Sequence, residues 1–412
     1  MKIINIRYIF FILCIYILVF QNLLQKYISI FQYFDELLAL LIFPILILKL
    51  LKKNKKNHIK LNEISIKIIF LSIALFIIGI LSNVNSKIQP LNIAIQDALL
   101  VFKFIFAYLV SYYLFTYEFI ENNKKSIHKH IIFLIYIFFL CTIVNYVFNI
   151  WPGDFRFGIM SNKIFYGSPT YLAAVSIFLL SMYILTNVTN KIQPLEIIMI
   201  IIVLLSTLRF KAIGAAIMII VMSIYIYRSK KRLSLSKIAI LGIFLIMISW
   251  DQISFYYLSH DDVARNILTS KSMEIAKDYF PLGTGFGTYG SYISGVYYSS
   301  LYYKYDLYKI WGISKNNTSF LSDTFWPMII GQFGLIGTII YAMILGLIYK
   351  NIQKCFDKNN INLYISKMIC IAYLLISSTS ESAFVNPISI PLALIIGIQI
   401  KNSNKISKIE NT

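Results

Sequence analysis

The sequence predicts an all-α polytopic membrane protein of about twelve transmembrane helices with one large extracytoplasmic loop. Three observations predict it. The 412 residues are 58% hydrophobic and only 14% charged, with a mean hydropathy of +0.72, whereas a soluble domain carries roughly a quarter charged residues. The apolar residues gather in long runs such as 68–82 and 131–149. Runs of that length suit a hydrocarbon core about 30 Å thick at about 1.5 Å of rise per residue. The basic residues fall in alternate connections between those runs, which is the positive-inside pattern.

Taken in order, spans are expected at approximately 8–24, 36–51, 64–82, 97–117, 131–149, 169–187, 194–210, 212–227, 235–250, 325–349, 361–378 and 384–400. The seventh and eighth form a near-continuous apolar stretch interrupted by Arg209, Lys211 and Gly214. That interruption reads as a tight turn. With the N-terminus in the cytoplasm, about 25 of the 38 Lys and Arg residues lie inside. They occupy 49–67, 118–129, 188–193, 228–237, 350–367 and the two ends. The outer connections before residue 250 hold Lys26, Lys87, Arg156, Lys163, Arg209 and Lys211. The expected domains are therefore 1–250 (helices one to nine), 251–323 (the large outer loop), 324–400 (helices ten to twelve) and 401–412 (a cytoplasmic tail).

A net charge of +20 could suggest nucleic acid, but its placement argues against that partner. The clusters Lys52-Lys53-Asn54-Lys55-Lys56 and Arg228-Ser229-Lys230-Lys231-Arg232 sit in short loops between apolar runs, where they set topology and meet anionic lipid. Cys14, Cys141, Cys355 and Cys370 lie in apolar runs or an inner loop, so no disulfide framework is expected. His58, His128, His130 and His260 lack metal-ligand spacing. The first apolar run has no small-residue cleavage site and reads as an uncleaved span.

The segment 250–323 is too long for a passive connection. It holds a helical-looking stretch at 262–279, a Gly-rich turn at 283–290 and the run Tyr297-Tyr298-Ser299-Ser300-Leu301-Tyr302-Tyr303-Lys304-Tyr305. Two readings fit the tyrosines: a headgroup-belt anchor, or a platform for sugar faces, with Tyr298 and Tyr302 as its candidates. The Gly283-Thr284-Gly285-Phe286-Gly287 run is a backbone turn and not a dinucleotide loop, since no strand precedes it.

Arg209 and Lys211 stand at the turn between two spans, and an outer Arg runs against the positive-inside trend. Arg209 reads as a snorkelling residue or as part of an anion site that Arg265 and Lys271 could join. A guanidinium fork matches phosphate oxygens bidentately. Arg156 is a partner for Asp154 or another member of that site. Asp323 reads as a helix N-cap and equally as a base toward a sugar hydroxyl. Glu381 is a second candidate carboxylate, between the last two spans. The pair Asp35-Glu36 stands where a helix N-terminus favours acids, and Lys103 is the clear charge deep in a span.

Together these segments resemble the O-antigen polymerase and ligase superfamily, the Wzy-like membrane glycosyltransferases. Arg156-Phe-Gly-Ile-Met-Ser-Asn followed by Gly167-Ser-Pro-Thr-Tyr-Leu-Ala is similar to the family's Arg-x-x-Gly…Asn-Pro segment, with Gly-Ser-Pro in place of Asn-Pro. Ser206-Thr207-Leu208-Arg209 resembles its Ser-Arg span end, with Leu before the Arg. Arg265 with Tyr279-Phe280-Pro281-Leu282-Gly283-Thr284-Gly285 looks like its Arg…Pro-Leu-x-Gly-x-Gly loop. Asp323-Thr-Phe-Trp and Gly334-Leu-Ile-Gly337 look like the start of its Gly-x-x-Gly span, where lipopolysaccharide ligases have His instead of Asp. Phe34-Asp35-Glu36 is common at this place in polysaccharide polymerases.

The resemblance implies a polymerase of lipid-linked oligosaccharide repeat units acting outside the cytoplasmic membrane by inverting, metal-free transfer. An undecaprenyl-diphosphate-linked chain would be the donor, with Arg209 and Arg265 on the departing diphosphate, Asp323 as base, and Arg156, Lys211, Tyr298, Tyr302 and Glu381 binding substrate. No cofactor is implied. A chain-length regulator and a flippase would be its partners. Rival expectations are a ligase, a repeat-unit flippase, and a transferase using a polyprenyl-phosphate sugar with Asp35 or Glu36 as base.

Overall fold

A computed structural model of the chain describes residues 6–51, 63–156, 158–187, 194–248, 250, 254, 263–358 and 360–400. The Lys52–Lys56 cluster, the loop 188–193, the start of the outer segment at 255–262, His58, His260 and the tail 401–412 lie outside the described residues.

The chain is a multi-pass α-helical membrane protein. Among the described residues its longer helices are α1 Ile6–Leu24, α2 Phe34–Leu40, α3 Ile42–Leu51, α4 Glu63–Ser86, α5 Leu91–Leu114, α6 Tyr117–Phe148, α7 Pro169–Thr186, α8 Pro194–Ser206, α9 Phe210–Ser229, α10 Leu235–Ile248, α11 Ala264–Asp278, α12 Phe325–Lys354, α13 Ile361–Ser377 and α14 Ser389–Gly397. Eight segments among the described residues are helical, long and apolar enough to cross a membrane. The helices α8, α10, α13 and α14 occupy the other four expected positions but are shorter. Large apolar side chains such as Phe70, Leu140 and Leu335 are more than half exposed on these helices. In hydrocarbon such a face is the solvated one.

Three boundaries differ from expectation, each for a local reason. The second span is broken into α2 and α3 at Leu41, because Pro44 has no N–H to offer the Leu40 carbonyl. The expected inner loop 118–129 is helical and continuous with α6; Thr116 caps it at Phe119 N, and Lys124 pairs with Glu121 one turn apart. One strand pair, β1 Phe155–Arg156 with β2 Ile159–Met160, closes as an antiparallel hairpin over Gly158, so the chain is not wholly helical.

The centre of the bundle is α7, 89% buried over its span, which starts on a Ser168 cap with Pro169 in its first turn. A helix apolar on every face belongs inside. It packs on α6, α8 and α13, while α5 packs on α2 and α14. Inside α5, Lys103 is 2% exposed and bonds to Asp35 (2.7 Å) and Glu36 (3.3 Å) of α2; Gln21 of α1 donates to the other Asp35 oxygen. The cation buried in α5 is thus paired across helices.

Tertiary contacts sort the connections onto two faces. Tyr8 bonds to Ser126, Tyr117 N to Gln399 O, Tyr227 to Asn362 and Leu233 N to Tyr364, so the connections expected inside share one face. Lys26 meets Phe165 O, and Ser82 and Ser86 donate to Leu282 O and Thr284 O on the other face.

The segment between α10 and α12 forms a folded lobe with its own core of Leu268, Ile275, Tyr289, Leu301, Tyr302, Leu307 and Ile313. Its Gly-rich turn descends into the bundle between α4, α5 and α12. Asn83 exchanges two bonds with the Phe286 backbone, and Gly287 N–H donates to Asp97. Thr284 N and Gly285 N bond to Gly331 O and Gln332 O, where α12 is broken at Gly334 (φ 60°, ψ −163°). That conformation belongs essentially to glycine, and a Cβ on Gly283 would collide with Gly334 N and Gln332 O. Irregular backbone survives at this depth because protein satisfies it on every side.

Candidate functional site

Five local structures converge at the end of the bundle that carries the lobe. The hairpin carries Asp154 and Arg156. The turn between α8 and α9 carries Arg209 and Lys211: α8 ends at Ser206, Leu208 takes a positive φ of 49°, and Arg209 precedes the first residue of α9. Positive φ at a branched apolar residue is strained, and Asn162 N holds the turn through Ser206 O. The start of α11 carries Arg265, the approach to α12 carries Asp323, and the connection after α13 carries Glu381.

All of these line one cavity of about 1300 Å³. Its head, beside the lobe, is charged. Its inner wall is apolar, formed by Met218 of α9, Ile238 and Gly242 of α10, one face of α12 and one face of α13. On α13 the lining residues are Met368, Ile371, Ala372, Leu375 and Ile376, and Thr379 follows. That i, i+3, i+4 spacing is a single helical stripe. From Thr379 to Met368 it runs about 16 Å toward the membrane interior.

At the charged end every carboxylate has a cation. Arg265 Nη2 lies 3.1 Å from Asp323 Oδ2, Lys211 Nζ lies 2.7 Å from Glu381 Oε2, and Arg209 Nη2 lies 3.0 Å from Asp154 Oδ2. Arg156 makes no ion pair among the described residues, and Arg209 Nε has no partner there. Burial lowers the Arg209 guanidinium from its ordinary value; Arg156 and Arg265 add repulsion, while Asp154 opposes it. The arginines are therefore close enough to feel one another. Burial raises the Asp323 carboxyl, Arg265 and Lys211 pull it back, and Glu381 pushes it up. The arrangement can hold a polyanion at its cations and accept a proton at Asp323.

The structure thus brings together Arg156, Arg209, Lys211, Arg265, Asp323 and Glu381, all named from sequence. Two details change. Asp154 pairs with Arg209 and not with Arg156, and Asp323 caps no helix, since Thr324 is the residue at the N-terminus of α12 and Asp323 faces Arg265.

Tyr298 and Tyr302 do not belong to the site. Tyr302 is fully buried, with its hydroxyl bonded to Gly290 N and Ser294. Tyr298 donates to Ile313 O, and its ring lies tilted against that of Tyr302. They hold the lobe together, because a buried tyrosine hydroxyl needs a partner and finds one in the backbone. The Asp35–Glu36–Lys103 cluster does not line the cavity either. The apolar wall and Phe320 were not singled out from sequence, and Asp154 was named only as a partner for Arg156; Gly242 and Gly346, isolated glycines inside apolar helices, were the available signal. Among the described residues no three His, Cys, Asp or Glu side chains converge to hold a metal.

No protein-family model matches the chain, and a search of curated proteins returns no relative.

Proposed function

We propose that this protein is a membrane glycosyltransferase that polymerises lipid-linked oligosaccharide repeat units of a surface polysaccharide. One observation carries the reading: four cations and three carboxylates crown a cavity whose remaining depth is apolar. An isoprenoid diphosphate has that same division, a polyanionic head on a hydrocarbon chain. The chain would cross the cytoplasmic membrane twelve times, both termini inside, with the cavity head at the outer face.

In the reaction the acceptor sugar hydroxyl attacks the anomeric carbon of the donor chain from the side opposite the diphosphate. The new C–O bond forms as the old one breaks, and its electron pair leaves on the diphosphate oxygen. Arg209 and Arg265 stabilise that charge, with Lys211 and Arg156 beside them. Asp323 takes the hydroxyl proton. Inversion follows from the opposed geometry.

The test is reconstitution. The purified protein in liposomes with lipid-linked repeat units from the native host should give a ladder of lipid-linked polymers. Transfer only to a core-lipid acceptor makes it a ligase, and translocation without transfer makes it a flippase. In cells, deletion should leave single lipid-linked units on the outer face.

A further inference from the structure

Every cavity cation that has a partner is already taken by a carboxylate: Arg209 by Asp154, Lys211 by Glu381, Arg265 by Asp323. Four cations against three carboxylates leave the head of the cavity with a formal excess of one positive charge. Arg156 makes no ion pair among the described residues and is open to an anion, but the other three cations are reached only by exchange, displacing carboxylates from guanidinium and ammonium groups. Guanidinium–carboxylate and guanidinium–phosphate pairs are of comparable strength, so an anion of one charge gains little by displacing a single carboxylate. An anion whose charge spans two phosphates engages several cations in one event.

From this geometry we infer that Asp154 and Glu381, with Asp323, form a charge filter that admits diphosphate-bearing lipids and rejects the singly charged phospholipids surrounding them. The inference rests on the anion-site reading above and assigns its selectivity. The need for a filter is physical: an apolar-walled cavity in a membrane meets hydrocarbon chains bearing phosphodiester heads, one negative charge each, in large excess over any carrier lipid. A bare cluster of four cations would hold them. The pairing also orders events at the third carboxylate. Asp323 leaves Arg265 only when a phosphate replaces it there, so the base becomes free to accept a proton once the donor is seated.

The mass-action consequence is measurable. A site whose cations are occupied by internal competitors binds with an affinity reduced by the fraction of time they are free. Removing a competitor's charge tightens weak anions most.

The experiment measures binding of farnesyl diphosphate and of farnesyl methyl phosphate, the same chain with a single charge, to the full-length protein in phosphatidylcholine nanodiscs. The wild type should prefer the diphosphate by roughly tenfold or more. Asp154→Asn and Glu381→Gln should each tighten the singly charged probe by about three- to tenfold and narrow that ratio. Asp154 is 66% exposed, so its Asn variant does not threaten the fold. Diphosphate binding with no discrimination in the wild type, or with a ratio unmoved in both variants, overturns the filter and leaves the anion site standing. Binding of neither probe by the wild type removes the anion site and the filter with it.

Discussion

Arg265 and Asp323 are the residues on which the proposed chemistry turns, and each makes a separate prediction. Arg265→Lys keeps the charge but loses the planar fork. Polymer formation should fall by about 10²-fold, the loss typical of removing one oriented donor from a developing anion. An unchanged polymer length distribution in cells would take Arg265 out of the site. Asp323 works as a base only when ionised, and burial holds its carboxyl above the ordinary range. Turnover should therefore fall as pH drops through that raised value, starting above the pH of roughly 4 at which a solvated Asp protonates. A kcat/KM plateau that continues below that pH would count against Asp323 as the base. Lys103 serves stability. Replacing it by Met strands Asp35 and Glu36 inside the bundle, a loss of about 3–5 kcal/mol, which a thermal-inactivation series in detergent would register. Adding Asp35→Asn and Glu36→Gln to that variant should restore much of it. The arginines were legible from sequence because a cation at the end of a span expected outside runs against the positive-inside trend. The choice of Arg209 over Arg156 as the partner of Asp154 was not, since that pairing joins a hairpin to a turn 55 positions away.

Among the elements, α12 and α13 matter most, because each contributes one stripe to the apolar wall. Gly346 of α12 and Gly242 of α10 line that wall, and a Cβ at either would meet open space. Substituting Leu should leave the fold intact and occupy the volume proposed to take an isoprenoid chain. KM for the lipid-linked donor should rise by about tenfold at each position, and combining the two should raise it further. A donor KM unmoved by both would detach the apolar wall from substrate binding. The stripe spacing was present in the sequence, as it is in every amphipathic or buried helix. Which stripe faces a cavity and which faces a neighbour depends on helices far along the chain, so periodicity alone does not separate them. The Gly-rich turn teaches the same lesson from the other side. Its glycines were readable as a turn, but its descent into the bundle required the break at Gly334 of α12, further along the chain.

At the scale of the whole molecule, the sidedness of the connections can be tested directly. In a cysteine-free background, single cysteines at Tyr303 or Trp311, both exposed on the lobe, should react with a membrane-impermeant maleimide on intact spheroplasts. A cysteine at exposed Arg232 should react only after lysis; the reverse pattern would invert the topology and place the cavity head in the cytoplasm. The sequence by itself determined the class of protein, the approximate position of every long apolar helix and the identity of six charged residues in the site. It could do so because hydrocarbon solvation and charge asymmetry act locally, residue by residue, along the chain. Only the tertiary structure decided that those six share one cavity, that an apolar channel lies beneath them, and that Tyr298 and Tyr302 belong to the lobe's interior. Convergence of that kind depends on how α7, α9, α12 and α13 pack against one another, and packing is a property of surfaces meeting in space that no single stretch of chain contains.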